Sequence, residues 1–380
     1  MMCLMMLECL LSYNSKLYKT LNVKERNKLR IGDQMSIGVP KTIEWIDGKV
    51  KLINQLKLPY ELEYIVTDDY RRVARAIKTM EIRGAPAIGV AAALALALAA
   101  TKIEDEDLER AVEYMKRVAS ELRSTRPTAI NLFWAIDRVM RVVYSATDVE
   151  ELKKLVMKEA LNIWKEDIEC NRKIGEYGEK LLDDGDTVIT ICNAGSLATV
   201  YYGTATAPVY IAKEKGKLVN VIVMETRPYL QGARLTAFEL KMAGVPVRIV
   251  TDNQIGIVSL KEKINIALVG ADRVTKDGHV VNKIGTYLLA LVAKERGFPL
   301  YVAAPTSTID LKSSIDDVII ERRPGDEVLF IFGKRIAPDG VDALYYAFDI
   351  TPPSLVAGVI TEKGIAYPPY NKSLRKIVTQ

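Results

Sequence analysis

From Asp186 onward the chain repeats one unit, a short, mostly apolar run followed by a loop and a helix-like stretch. TVITI (Thr187 to Ile191), NVIVM (Asn220 to Met224), VRIV (Val247 to Val250), NIALVG (Asn265 to Gly270) and LYVAAP (Leu300 to Pro305) recur at intervals of about 30 residues. The runs are continuous rather than alternating, which is the pattern of strands covered on both faces. Helical patterns at Ser196 to Ala205, Ala233 to Ala243 and Thr286 to Gly297 lie between them. Strand–helix alternation at this spacing commits the second half to βαβ units and a parallel sheet. Ligands in such sheets collect beyond the carboxyl ends of the strands. The residues just after each run are therefore the place to look for chemistry.

The first half reads differently. KTIEWIDGKVK (Lys41 to Lys51) alternates around Asp47-Gly48, a hairpin signature. YELEYIV (Tyr60 to Val66) adds a third strand, and Thr67-Asp68-Asp69 offers N-cap oxygens for a helix through Met80. Helical patterns follow at Asp105 to Arg123, Thr128 to Tyr144 and Asp148 to Leu182. The class is α/β, with a small antiparallel sheet plus helices over 35–182 and a parallel-sheet domain over 183–380, where any site chemistry is expected. Residues 1–34 stand apart, with four of the eleven methionines and then a basic polar stretch. They read either as an upstream start, with Met35 opening the domain, or as a helical packing arm.

Composition removes several function classes. A single histidine, His279, cannot build a multi-histidine metal site. The four cysteines (Cys3, Cys9, Cys170, Cys192) show no CxxC spacing, which fits a reducing cytoplasm without structural zinc. Fifty-three basic and 48 acidic residues leave a net charge of only +5, without a basic block interleaved with aromatics, so no nucleic-acid partner is expected. GAPAIGVAAALALALAAT (Gly84 to Thr101) is uncharged, but more than half of it is Ala or Gly; we expect a buried helix and no membrane partner. The N-terminus lacks a basic leader and a cleavage site, so the expected location is cytoplasmic.

Three strand ends carry unusual residues. Cys192 follows TVITI within Cys192-Asn193-Ala194-Gly195-Ser196. A thiol before a helix N-terminus has its thiolate stabilised, so its pKa is expected to fall. Position alone leaves this reading level with that of a small buried side chain. Asp272 follows NIALVGA, where an unpaired carboxylate is costly and desolvation raises its pKa toward that of a useful acid. Its alternative is an ion pair with Arg273. Gln231 and Gly232, beyond NVIVM, sit at a helix start and suit either a polar ligand or a simple cap.

Anion-binding features recur. Arg83, Gly84 and Ala85 precede Pro86 at a helix start, Arg126 precedes Pro127 at another, and Lys283 stands before a glycine turn and helix. No Walker A and no GxGxxG follows a strand, so a phosphorylated small molecule fits better than a nucleotide.

Together, IRGAPAIG, TRPTAINL, CNAG, ETRPYLQGARLTAFEL and GADRVTKDGHVVNKIGTY closely resemble the methylthioribose-1-phosphate isomerases of methionine salvage. The resemblance runs from about Val39 to Gly364. It implies a cofactor-free aldose–ketose isomerase acting on a sugar phosphate, a homodimer, and a Rossmann-like second domain. It also implies roles for individual residues. Arg83, Gly84, Ala85, Arg126, Gln231, Asn282 and Lys283 would bind substrate, Cys192 would stabilise the transition state and Asp272 would donate a proton. Two positions depart from the family pattern. Ile191 stands where a histidine is frequent, and Tyr345-Tyr346 replaces the usual Asn-Pro before Ala-Phe-Asp. Two rivals share the wider fold, ribose-1,5-bisphosphate isomerase and a non-catalytic subunit of initiation factor 2B.

Overall fold

The computed structural model describes residues 37–127, 129–320 and 322–379, and Gly38 to Gln380 form one compact unit. The extension at 1–34 and the start at Met35 lie outside the described residues.

Strands β1 (Ile43–Ile46), β2 (Lys49–Ile53) and β3 (Tyr64–Thr67) form the antiparallel sheet. Asp47 and Gly48 both have positive φ, and Ile46 pairs with Lys49 across this two-residue turn. The Asp69 carboxylate caps helix α1 (Tyr70–Lys78) by accepting from the Arg71 N–H. Helix α2 (Ala85–Thr101) starts with Pro86 in its first turn, and every residue from Ala87 to Ala100 is buried. It is apolar all round because helices surround it: α1, α3 (Leu108–Thr125), α4 (Ile130–Val143) and the 30-residue α5 (Val149–Gly178). Small alanine side chains let these helices approach closely. Among the described residues no helix is long and apolar enough to cross a membrane.

The second half places strands where the apolar runs predict them. They are β4 (Thr187–Thr190), β5 (Asn220–Met224), β6 (Val247–Val250), β7 (Ile266–Val269) and, after the hairpin β8 (Arg273–Thr275) and β9 (Val280–Lys283), β10 (Leu300–Ala303). Further strands follow: β11 (Ile309–Asp310), β12 (Arg322–Arg323), β13 (Phe330–Ile331), β14 (Lys334–Arg335), β15 (Tyr345–Tyr346), β16 (Phe348–Thr351), β17 (Gly358–Thr361) and β18 (Gly364–Ala366). The large sheet runs β18-β17-β10-β7-β4-β5-β6, parallel except for the β17–β18 pair. From β4 the chain winds outward through β5 to β6, then returns to β7 on the other side of β4. The carboxyl ends of β4 and β7 thus flank the topological switch point. A second sheet, β11-β8-β9-β16, packs Phe348 opposite Lys283 and Asp349 opposite Asn282. The helices after β4 are α6 (Ala207–Glu214), α7 (Ala237–Met242), α8 (Ile255–Lys261), α9 (Thr286–Arg296), α10 (Asp326–Leu329) and α11 (Tyr370–Thr379).

The helix expected at Ser196 to Ala205 does not form. One 3-10 turn spans Ser196–Ala198, and the α-helix starts only at Ala207. Backbone donors that a helix would direct inward go elsewhere: Ser196 and Leu197 N–H groups bond the Glu239 carboxylate at 3.1 and 3.0 Å, and Gly203 N–H bonds Thr199 Oγ1 at 3.1 Å. Tyr202 also takes a φ of 69°, which no α-helix tolerates.

Candidate active site

Cys192 leaves β4 with φ 64°, a left-handed conformation that favours glycine. Its backbone is held at both ends. The Cys192 N–H donates to Thr226 Oγ1 at 2.8 Å, and its carbonyl accepts from Thr236 Oγ1 at 2.5 Å. Thr226 follows β5, and Thr236 ends a π-helical turn over Gly232–Thr236. Such turns are frequent at functional sites. Gln231 precedes this one, is 7% exposed, and its Oε1 is buried with no hydrogen-bond partner. An orphaned buried carbonyl costs about 1–3 kcal/mol, a cost that a ligand donor would remove.

Two glycines bring the other segments to the Cys192 loop. A Cβ on Gly84 would lie 2.4 Å from the Ala198 oxygen, so the start of α2 touches the loop backbone directly. A Cβ on Gly270 would lie 2.6 Å from the Ala194 Cβ, so the turn beyond β7 packs on the same loop. Arg83 joins them. Its Nε donates to Gln55 Oε1 at 3.1 Å, its Nη1 to the Asn193 carbonyl at 3.0 Å, and its Nη2 to Asn193 Oδ1. Gln55 in turn donates to the Leu197 carbonyl at 2.7 Å, which ties the segment after β2 to the site.

Asp272 lies just past β7, its N–H bonded to the Val281 carbonyl at 2.9 Å. Arg273 pairs with Asp310 at 3.9 Å, so the ion-pair reading of Asp272 is not the arrangement adopted. The expectation of a deep, dry carboxylate needs correction, because Asp272 is open to water. It lies in the turn beyond the strand, between β7 and β8, rather than within the sheet. Protein nevertheless surrounds it widely enough that lost hydration raises its carboxyl pKa, opposed by the positive charges of Lys283, Arg83 and Arg126.

Cys192 shows the same balance. Burial raises its thiol pKa, Lys283 and Arg83 pull it down, and Asp272 pushes it up. The expected fall in thiol pKa is therefore overturned. The helix N-terminus that was to stabilise the thiolate does not exist, and desolvation outweighs the two cations. Cys192 is thus coupled to Lys283, Arg83 and Asp272, and Asp272 to Lys283, Arg83 and Arg126.

Asn282 and Lys283 end β9. Asn282 Nδ2 donates to Thr286 Oγ1 at 3.0 Å, and the Lys283 ammonium lies 4.5 Å from the centre of the Phe348 ring. Asp349 fixes the turn that follows: its Oδ2 accepts from the N–H groups of Gly285 at 2.7 Å and Tyr287 at 3.1 Å. Ile191 is buried against Gly285, so its side chain fills space between the two loops and gives the thiol no polar neighbour. Tyr345 is buried, its hydroxyl pKa pushed up to about 12 by burial and then by Glu327, with a smaller push from Cys192. His279 bonds Asp277 at 3.0 Å within the β8–β9 hairpin, outside this cluster. Among the described residues no group of three or more His, Cys, Asp or Glu side chains is arranged to hold a metal ion. Cavities of about 480 and 360 Å³ occur elsewhere, and neither is lined by Cys192 or Asp272.

Sequence reasoning gave no role to Gln55, Asn193, Glu239 and Asp349, and noted Tyr345 only as a departure from the family pattern. Only Asn193, adjacent to the cysteine, carried a visible signal. Gln55, Glu239 and Asp349 act through partners 28 or more residues away.

The model of the Initiation factor 2 subunit family matches residues 81–368. Methylthioribose-1-phosphate isomerase of Thermosipho melanesiensis is 51% identical over 337 residues, covering 88% of this chain and 97% of its own. A putative methylthioribose-1-phosphate isomerase of Methanocaldococcus jannaschii is also 51% identical over 337 residues, with 88% and 98% covered. Among solved structures, 5-methylthioribose 1-phosphate isomerase from Pyrococcus horikoshii OT3 has a TM-score of 0.86 at 41% identity, over 90% of this chain and 96% of that one. The structure described as translation initiation factor eIF-2B, subunit delta, from A. fulgidus has a TM-score of 0.84 at 46% identity, over 90% and 100%.

Proposed function

The chain belongs to the Initiation factor 2 subunit family, and we infer that within it the chain is an isomerase converting 5-methylthioribose 1-phosphate to 5-methylthioribulose 1-phosphate in methionine salvage. What supports this reading is the electrostatic coupling of Cys192, beyond β4, with Asp272, beyond β7, each also influenced by Arg83 and Lys283, together with isomerase relatives about half identical over most of the chain. A regulatory subunit has no use for an acid coupled to a thiol among cations. That argument outweighs the subunit description of the A. fulgidus neighbour.

The substrate's anomeric phosphate prevents spontaneous ring opening, so an acid must open the ring. Asp272, its proton held more firmly by lost hydration, donates to the ring oxygen as the C1–oxygen bond breaks. Substrate covering the crevice would displace water from the carboxyl and raise its pKa further. Hydrogen then moves from C2 to C1, and as the ketone forms the C2 hydroxyl gives its proton to the carboxylate that ring opening leaves on Asp272, which restores the acid. Two routes balance: proton transfer through an enolate with Cys192 thiolate as base, or a direct hydride shift. Burial keeps Cys192 largely as the thiol. We therefore favour the hydride shift, with the S–H as a hydrogen-bond donor to the oxygen where charge develops.

Arg83, Gly84, Ala85 and Arg126 supply guanidinium groups and a helix start for the phosphate and hydroxyls. Lys283 and Asn282 close the opposite side, and the orphaned Gln231 Oε1 takes a substrate hydroxyl. The reading includes no cofactor, a cytoplasmic homodimer, a Rossmann-like second domain and a domain boundary near 182/183. Turnover of methylthioribose 1-phosphate against ribose 1,5-bisphosphate tests the substrate. A clear preference for the bisphosphate would transfer the assignment to the rival isomerase. Deuterium placed at C2 should be retained at C1, and its loss to solvent would restore the enolate route.

A further inference from the structure

Glu239, on α7, is a fully buried carboxylate outside every role given above. Five donors converge on it. Its Oε1 accepts from Ser196 N–H at 3.1 Å, Thr206 Oγ1 at 3.2 Å and the Tyr210 hydroxyl at 2.9 Å. Its Oε2 accepts from Leu197 N–H at 3.0 Å and Asn193 Nδ2 at 3.2 Å. A Cβ on Gly195 would lie 1.6 Å from Glu239 Oε1, so only glycine lets the loop settle onto the carboxylate. Charge-assisted bonds of this kind are about twice as strong as neutral ones.

Two lines run from this carboxylate into the site. The first is Asn193, whose Nδ2 bonds Glu239 while its Oδ1 and its carbonyl take the two terminal nitrogens of Arg83. The second is the backbone of Ser196 and Leu197, four and five positions after Cys192 and next to the Ala198 that α2 touches. A buried carboxylate with no adjacent cation is costly unless fully hydrogen-bonded. Here the bonds all come from the cysteine loop, from α6 and its N-terminal Thr206, and from Asn193. A core that needed only packing would place an apolar residue there.

We propose that Glu239 is a positioning residue for catalysis: acting through Asn193 and the Ser196–Leu197 backbone, it sets the geometry in which Arg83 and Cys192 face the substrate, without touching substrate itself. The inference rests on the isomerase reading of this site, and it accounts for the placement of Arg83, whose three hydrogen bonds go to amide and carbonyl oxygens, two of them on Asn193, rather than to a carboxylate. Glutamine at this position cannot serve all five donors, because its amide nitrogen must face either the Ser196 N–H or the Leu197 and Asn193 donors. The loop then shifts, and the geometry between Arg83 and Cys192 shifts with it.

The test uses Glu239→Gln, Asn193→Ala and the pair, in the full-length protein. We expect each single change to lower kcat by about tenfold to a hundredfold with KM changed less than about threefold. The double variant should be slower than the worse single one by much less than the product of the two effects, because the two changes share the Asn193 line. The pH profile of Cys192 alkylation by iodoacetamide, read against Cys170 by peptide mapping, should be displaced by about half a unit or more in Glu239→Gln. Groups facing that thiol are Lys283, Arg83 and Asp272. Multiplying effects, an unchanged kcat, or a lowered melting temperature with a superimposable alkylation profile would each overturn the proposal. Should Glu239→Gln not fold, Tyr210→Phe removes one donor and keeps the carboxylate. It should slow kcat by about twofold or more and displace the profile, and no change in either would overturn the proposal. Absence of turnover in the wild type would defeat the isomerase reading alone, since the alkylation profile still decides the role of Glu239.

Discussion

Alanine at Gly84 should separate stability from catalysis. Gly84 N-caps α2 with φ 97° and ψ 129°, a region that costs a residue bearing a Cβ about 1–3 kcal/mol. The new Cβ would lie 2.4 Å from the Ala198 oxygen, 2.5 Å from its Cα and 2.8 Å from its carbonyl carbon. All three are backbone atoms, so no rotamer change relieves the clash. Restoring contact at about 3.5 Å requires α2 and the Cys192 loop to part by about 1 Å. Overpacking of this kind adds about 1–3 kcal/mol, for a total of about 2–6 kcal/mol. A fold stable by about 5–15 kcal/mol survives most of that range. Its melting temperature should fall by roughly 3–8 °C, since a chain this long unfolds with a large entropy. The parting displaces Arg83 and Ala85 relative to Cys192, and about 1 Å of misplacement is worth about a hundredfold in kcat. Steady-state kinetics below the melting transition, beside a thermal melt, measures both. Wild-type kcat in a variant melting within about 2 °C of wild type would refute the claimed contact between α2 and the loop.

Other consequences follow from the charges. Lys283 pulls the Cys192 thiol down against burial, so Lys283→Met should move the midpoint of its alkylation profile to higher pH. A shift to lower pH would show that the ammonium does not face the sulfur. The Asp349 carboxyl is pushed from the ordinary 3.8 up to about 6 by burial, with the Tyr287 and Gly285 N–H groups pulling against it. The folded state holds this proton more tightly than the unfolded chain. Its contribution to stability is therefore fully present below 3.8 and is lost as pH rises through about 6. Asp349→Asn should flatten the fall in melting temperature across that window, and an unchanged slope would refute the assignment.

Much of this was readable from the chain because local chemistry dictated it. The Asp47-Gly48 turn, the Asp69 cap and the apolar strands each announce themselves within a few residues. Strand ends in a parallel sheet then point to Cys192 and Asp272 without knowledge of the tertiary contacts. The failures share one cause. The Ser196 to Ala205 stretch looks helical until Glu239, 42 and 43 positions away, captures its backbone donors. The thiol's expected fall in pKa depended on that helix. Asp272 looks buried because its strand is, although the chain turns outward before reaching it. Gln55 and Asp349 reach the site from segments that no local pattern connects to it. Long-range hydrogen bonds decide these positions, and a single sequence does not display them.

The central claim is that one thiol and one carboxyl, brought together from β4 and β7, perform the isomerisation. Turnover of methylthioribose 1-phosphate by Cys192→Ser and Asp272→Asn, with folding checked by thermal melt, tests it most directly. Each variant should lose about a hundredfold to ten-thousandfold in kcat while remaining folded. A folded Cys192→Ser or Asp272→Asn protein retaining about a tenth or more of wild-type kcat would contradict the account.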